Sequence, residues 1–187
     1  MSDADLDRDL PLLDIAPTPA EKADFRFFRG ESPLGPDFTY SLILPKSWTY
    51  HPPTGTIDLD EGPAPLGVFS EYPGMIPPIL LSVGVLRANP AISLMTFYAA
   101  YCHVAEMTPL LMRPLQLDGF LGVDGLIDTP DGLRMRLLMT EDGGRVLVLA
   151  GVSPRDDYAE AAKRLAAIMV SCEFVVSRGP TMGITDE

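Results

Sequence analysis

The residues with the most reactive chemistry are Cys102, His103 and Glu106, which lie close together in the sequence. A cysteine nucleophile needs a base that lowers its pKa and a third group that orients this base. Neighbouring residues of a helix point about 100° apart, so Cys102 and His103 are poorly placed to share a hydrogen bond. We therefore interpret Cys102 as a buried small hydrophobe beside a helix-end histidine and predict no catalytic residues. A hydrolase or transferase that uses Cys102 and His103 is the less favoured alternative.

Metal and cofactor sites are not expected from the ligand types and their spacing. The chain has neither CxxC nor HxxxH spacing, and its few soft ligands are His51, His103, Cys102 and Cys172. The acidic residues Asp58, Asp60 and Glu61 lack the ligand series of an EF-hand, so we interpret them as a solvated loop. The glycines between 119 and 125 lie in a strand-like run without a following helix, which argues against a phosphate-binding loop.

The charge of the chain excludes several classes of partner. Fourteen Lys and Arg against 26 Asp and Glu leave a formal charge of −12, which disfavours nucleic acid and anionic lipid surfaces. No apolar stretch approaches the roughly 20 residues that cross a bilayer, and the Asp-rich start does not match an export signal. Two cysteines do not form a disulfide framework. We therefore predict a cytoplasmic protein with no nucleic-acid partner and no membrane insertion.

The elements that must position these residues predict an α+β fold. We expect a flexible acidic leader over residues 1–37, a single globular domain over 38–177 and a mobile tail over 178–187. Strands are predicted at 38–44, 66–72 and 79–86, and a meander of strands at 110–152. Asn89-Pro90 predicts the start of a first helix, and Ser153-Pro154 predicts the start of a C-terminal helix that ends near Val170. An antiparallel sheet with helices packed against it follows from this order.

Two short motifs carry a resemblance to a known family. An apolar strand ends at Pro45 and is followed by Trp48 in Tyr40-Ser41-Leu42-Ile43-Leu44-Pro45-Lys46-Ser47-Trp48, and the last helix closes on Ile168-Met169-Val170-Ser171-Cys172-Glu173-Phe174. Over residues 38–177 the chain resembles the PsbP-like fold family, which includes DcrB-type proteins and the Eag chaperones of bacterial type VI secretion. The resemblance implies an α/β/α sandwich and a non-catalytic binding or assembly role. The long leader and the Pro-rich loop over 51–65 depart from the family pattern.

Candidate contact residues are apolar side chains in weakly structured positions. Phe25, Phe27 and Phe28 are too apolar for a spacer, so they either strap the core or bind a partner. Met135 and Met139 would line a docking face if no helix covers it, with Arg134 or Arg136 orienting an amphipathic peptide. Trp48 is interpreted as a core anchor or a contact residue.

The resulting functional prediction is a non-catalytic cytoplasmic protein-binding module. It would act as a chaperone or adaptor for a secreted or membrane-associated client, through apolar complementarity. The alternative is a structural subunit whose edge strands self-associate, for instance as a homodimer.

Overall fold

Ten strands and two helices make up the part of the chain that the computed structural model describes, which is residue 10 and residues 23–31, 38–54, 64–71, 79–117 and 120–176. The strands are β1 (Phe25–Glu31), β2 (Phe38–Pro45), β3 (Thr49–His51), β4 (Ala64–Ser70), β5 (Leu80–Arg87), β6 (Thr108–Leu117), β7 (Phe120–Asp128), β8 (Leu133–Asp142), β9 (Arg145–Pro154) and β10 (Glu173–Val176). The helices are α1 (Leu94–Val104) and α2 (Tyr158–Val170).

The strands form two antiparallel sheets. The smaller sheet has three strands in the order β1-β2-β10, and the larger has seven in the order β3-β4-β5-β9-β8-β7-β6. Strands β6 to β9 are successive neighbours, so the predicted meander over 110–152 is confirmed, with slightly wider bounds. The α+β class predicted from the sequence is confirmed as well.

The two faces of the larger sheet are covered by different elements. Met135, Leu137 and Met139 of β8 belong to the same hydrophobic cluster as Tyr98 and Cys102 of α1. The intervening Leu138 belongs to the cluster that contains α2 and the apolar side of β2. Because successive side chains of a strand point to opposite faces, α1 lies on one face and α2 with the smaller sheet on the other. The layers therefore form the α/β/α sandwich that the resemblance implied.

Both predicted helix starts were wrong, because turns or strand pairing use the capping residues. The Oδ1 of Asn89 accepts a hydrogen bond from the amide of Ala91 at 3.0 Å in a turn, and α1 begins later, capped by the Ser93 Oγ at 3.1 Å from the Thr96 amide. Ser153 is buried in β9 opposite Arg134. Long-range strand pairing has overridden the local Ser-Pro signal. The predicted end of α2 near Val170 is confirmed.

The fold includes a strand that precedes the predicted domain boundary at residue 38. Strand β1 pairs with β2 along its whole length, from Phe25 opposite Pro45 to Glu31 opposite Thr39. Gly30 is required in this strand because a Cβ there would overlap the ring of Tyr40. The other parts of the predicted leader (1–9, 11–22 and 32–37), the loop over 55–63 and the predicted tail over 178–187 lie outside the described residues.

Candidate partner-binding surface

The sheet face that we predicted around Met135 and Met139 is not open. Met139 is fully buried and Met135 nearly so, because α1 packs over this face. Trp48 is buried in the other hydrophobic cluster, so the structure supports its interpretation as a core anchor. The prediction of an uncovered docking face formed by these residues is therefore wrong.

Arg134 and Arg136 point to the opposite face of β8, where each pairs with a carboxylate of β7. Arg134 donates to Asp128 from Nε at 2.6 Å and from Nη2 at 2.9 Å, and Arg155 also approaches Asp128, at 3.2 Å. The hydrogen bonds and charge of Arg134 lower the pKa of Asp128 against the opposing effect of its partial burial. Arg134 therefore stabilises the β7–β8 turn through Asp128, and it does not lie at the margin of an open docking face.

Asp124, Arg136 and Arg113 form a buried charge cluster that sequence reasoning missed. Arg136 donates to Asp124 from Nε at 2.9 Å and from Nη2 at 2.8 Å, and both side chains are fully buried. Arg113, which lies opposite Asp124 in β6, donates to the same carboxylate from Nε at 3.2 Å and from Nη2 at 2.8 Å. A lone aspartate within the apolar run of β7 was the one signal available, since buried carboxylates require partners.

The charge cluster also contacts the N-terminal part of the chain. Arg113 Nη2 donates to the carbonyl oxygen of Leu10 at 3.3 Å. The side chain of Leu10 is 1% exposed and belongs to the same hydrophobic cluster as Leu126 and Leu138, which lie on this face of the sheet. A residue of the predicted leader therefore lies in the core, next to a cationic group.

The outer face of β1 carries the most exposed aromatic side chain in the described part of the chain. Phe27 is 68% exposed, and its cross-strand partner Ile43 is 38% exposed. Phe28 points the other way and packs edge-on against Phe69, with ring centroids 4.9 Å apart. The three phenylalanines singled out in the sequence therefore have different environments. Phe28 and Phe25 pack against the core while partly buried, and Phe27 faces solvent.

Polar contacts hold β1 in place at its start. Arg26 Nη2 donates to the carbonyl oxygen of Trp48 at 2.8 Å, and Lys46 donates to the carbonyl oxygens of Asp24 and Ala23 from its amide at 2.8 Å and its Nζ at 2.7 Å. These bonds tie the strand to the turn after β2. Phe27 is therefore presented on a fixed strand, at the outer edge of the smaller sheet as the described residues define it.

The two candidate catalytic side chains point in different directions from α1. Cys102 lies in the core beneath the helix, and burial raises the pKa of its thiol to about 11. His103 is exposed, and Glu106 follows the helix end with a φ of 54°. The helix thus separates the sulfur from the imidazole, as the 100° spacing predicts. Burial also raises the pKa of the Cys172 thiol, as does the charge of Glu173.

The described ranges contain neither a group of side chains that could hold a metal ion nor a helix that could span a membrane. No three His, Cys, Asp or Glu side chains converge there closely enough to hold a metal ion. The acidic residues Asp58, Asp60 and Glu61 lie outside those ranges. Neither α1 nor α2 is long and apolar enough to cross a membrane.

The chain has a PsbP-like fold. The solution structure of cyanobacterial PsbP (CyanoP) from Synechocystis sp. PCC 6803 matches with a TM-score of 0.59 at 12% sequence identity, covering 86% of this chain and 98% of that one. A likeness at this identity shows the fold alone, and it confirms the fold that the resemblance implied. The more specific likeness to DcrB-type proteins and Eag chaperones stays a prediction.

Other solved structures match more loosely. One from Bacteroides thetaiotaomicron VPI-5482 has a TM-score of 0.47 at 11% identity, covering 79% of this chain and 47% of that one. A protein of unknown function from Pseudomonas aeruginosa has a TM-score of 0.43 at 13% identity, covering 66% of this chain and 83% of that one. No protein-family model matches the sequence, and no curated protein matches it.

Proposed function

We propose that the chain is a non-catalytic protein-binding module that receives an extended client segment alongside β1. The observation that carries this proposal is Phe27, an aromatic side chain 68% exposed in the middle of a strand at the edge of the smaller sheet. An edge strand offers main-chain donors and acceptors to an added strand, and exposed apolar side chains beside it supply affinity.

The size of the exposed apolar group fits this role. Complete burial of a phenylalanine side chain contributes about 1.5–3 kcal/mol, so covering the exposed two thirds of Phe27 would contribute roughly 1–2 kcal/mol. Ile43 lies directly opposite Phe27 and extends the apolar area across two strands. Arg29 is exposed on the same face of β1, which favours a client with an acidic residue near its apolar ones.

The client class follows from the resemblance rather than from the geometry. The Eag chaperones that the sequence resembles bind other proteins, so we propose a chaperone or adaptor for a secreted or membrane-associated client. A cytoplasmic location is part of the same proposal and is supported by the acidic composition and the two free thiols.

A matched pair of surface variants tests the proposal. The tagged full chain is isolated from its own cells as wild type, Phe27→Ser and Leu121→Ser, where Leu121 is a comparably exposed residue of β7 at 70%. A client is expected to co-purify with wild type and Leu121→Ser and to be lost with Phe27→Ser, and purified components should repeat this order of affinities. Equal capture by all three proteins would contradict a role for β1.

Self-association through β1 is the second candidate, because the same edge would accept a second copy. Light scattering over a hundredfold range of protein concentration distinguishes the two. A dimer that Phe27→Ser abolishes and Leu121→Ser retains would favour self-association, whereas a monomer at all concentrations leaves the client-binding function.

A further inference from the structure

We infer that the outer face of α1 is the contact surface of a homodimer, in which a second copy of this chain packs its own α1 antiparallel against it. "The α1 face" denotes the exposed side chains Thr96, Ala99, Ala100, His103 and Val104. The inference concerns a different surface from β1 and does not depend on the function proposed there.

The first support is the composition of this surface helix. Residues 88–105 contain no Asp, Glu, Lys or Arg, and they are the longest such stretch of the chain. Tyr98 and Cys102 are buried against the sheet, yet Val104 on the other side of the helix is 83% exposed. A helix that is apolar all round is normally buried all round. The composition of α1 therefore indicates a further packing partner on its outer face.

The second support is charge, which favours a second copy as that partner. Each copy carries −12, so two copies repel each other over most of their surfaces. The α1 face carries no carboxylate, so two chains can meet there without bringing like charges together. The small side chains of Ala99 and Ala100 allow the two helix axes to approach closely.

The third support is Glu106, directly after α1. Its amide donates to the carbonyl oxygen of His103 at 3.1 Å, and the amide of Met107 donates to that of Cys102 at 2.8 Å. Glycine is the usual residue at such a helix end, and Glu106 is the one non-glycine residue with a positive φ in the described ranges. Its carboxylate has no hydrogen-bond or ion-pair partner in those ranges. The glutamate is therefore available for a contact outside the monomer.

An antiparallel pair with its twofold axis between Ala99 and Ala100 provides this contact. It places Glu106 of each copy beside Ser93 of the other, at a helix start whose first turn has no acidic residue. The partial positive charge of a helix N-terminus stabilises a carboxylate there. Because the pair is symmetric, the contact forms twice, and the α1 face is self-complementary.

The length of α1 limits the strength of the dimer. Eleven residues span about 16 Å, so the interface is smaller than that of a permanent dimer. We expect a reversible dimer with a Kd of roughly 10 µM to 1 mM.

The test is sedimentation velocity of the full chain over about 5–500 µM, a range that covers most of the expected constants. Wild type should change from monomer to dimer, and Ala100→Glu should weaken the dimer at least about tenfold, because it brings two carboxylates together in an apolar contact. Lys163→Gln changes the net charge by the same amount on the exposed side of α2, and it should leave the Kd within about twofold. Phe27→Ser should also leave the dimer unchanged.

A second set of variants tests the role of Glu106. Glu106→Gln should weaken the dimer about three- to thirtyfold, because two contacts with helix starts are lost. Glu160→Gln removes the same charge from α2 and should not weaken the dimer. Glu106→Gly should weaken the dimer as well, yet its monomer should melt no lower than wild type, because glycine suits a positive φ.

Cross-linking tests the antiparallel arrangement in a Cys172→Ser background. Ala100→Cys lies next to the proposed axis and should form an intermolecular disulfide under a mild oxidant. Val104→Cys should not, because residues 104 of the two copies lie about 13 Å apart along the helix axes, further than a disulfide spans.

Five outcomes would overturn the inference: a wild-type monomer at every concentration, an unchanged dimer in folded Ala100→Glu, loss of the dimer in Phe27→Ser, no weakening by Glu106→Gln, and equal cross-linking through residues 100 and 104. Cooperative thermal melts check that each variant is folded. The Glu106 and cross-linking variants keep the test decisive if Ala100→Glu does not fold.

Discussion

Asp124→Asn should destabilise the protein more than Arg113→Met, because Arg113 is the one partly exposed partner of Asp124. In the folded chain the carboxylate of Asp124 accepts hydrogen bonds from Arg113 and Arg136, and no part of it reaches solvent. An asparagine keeps the size of the side chain and removes the negative charge. The fully buried guanidinium of Arg136 then lacks this counter-charge.

The magnitude follows from burial. Removing one member of a buried ion pair costs about 3–5 kcal/mol, because the remaining charge stays desolvated. Arg113 is 26% exposed, and its removal leaves the Asp124–Arg136 pair intact. Arg113→Met should therefore cost only about 1–2 kcal/mol. At this chain length each kcal/mol corresponds to roughly 2–4 °C, so Asp124→Asn should lower Tm by roughly 6–20 °C.

The assay is urea unfolding at pH 7, followed by the fluorescence of Trp48, which is buried in the folded chain and enters water on unfolding. The midpoint should fall for both variants, and more for Asp124→Asn, with an unchanged dependence on urea. Asp124→Leu combined with Arg136→Met should recover part of the loss, since an apolar pair needs no counter-charge. Equal losses in Asp124→Asn and Arg113→Met, within about 0.5 kcal/mol, would refute the reasoning.

Two further predictions concern single titratable groups. In a Cys172→Ser background, Cys102 should resist a thiol reagent at pH 8. A pKa of about 11 leaves roughly one thiol in a thousand ionised at that pH, and the sulfur is buried. Rapid labelling of the folded chain would contradict the position of Cys102 in the core. Asp128→Asn should lower the free energy of unfolding by about 1–2 kcal/mol at pH 7. Because Arg134 lowers the pKa of Asp128, the contribution of Asp128 is fully present above the unfolded pKa of about 3.9 and is lost as pH falls through the folded pKa. The difference in urea unfolding between the variant and wild type should therefore shrink as the pH is lowered below about 3.9, and a difference that grows would contradict this.

The fold class could be predicted from the sequence because the signals that indicate it are local. Turn residues divide the meander into strands, and the apolar stripe of α2 marks a helix that packs on one side. The start of α2 was misplaced because Ser153 pairs with Arg134 in the neighbouring strand, a contact that no local pattern encodes. Strand β1 was missed as a strand because it lies in an acidic, Pro-rich stretch, although its three phenylalanines were recognised as unusual for a spacer.

The candidate sites depended on information that the sequence of one strand does not contain. In β8 the methionines alternate with Arg134 and Arg136, which predicts one core face and one at least partly solvated face. The structure buries both faces, because Asp128 of β7 lies opposite Arg134 and Asp124 of β7 pairs with Arg136 diagonally across the two strands. Only the pairing of β7 with β8 reveals that this polar face is enclosed.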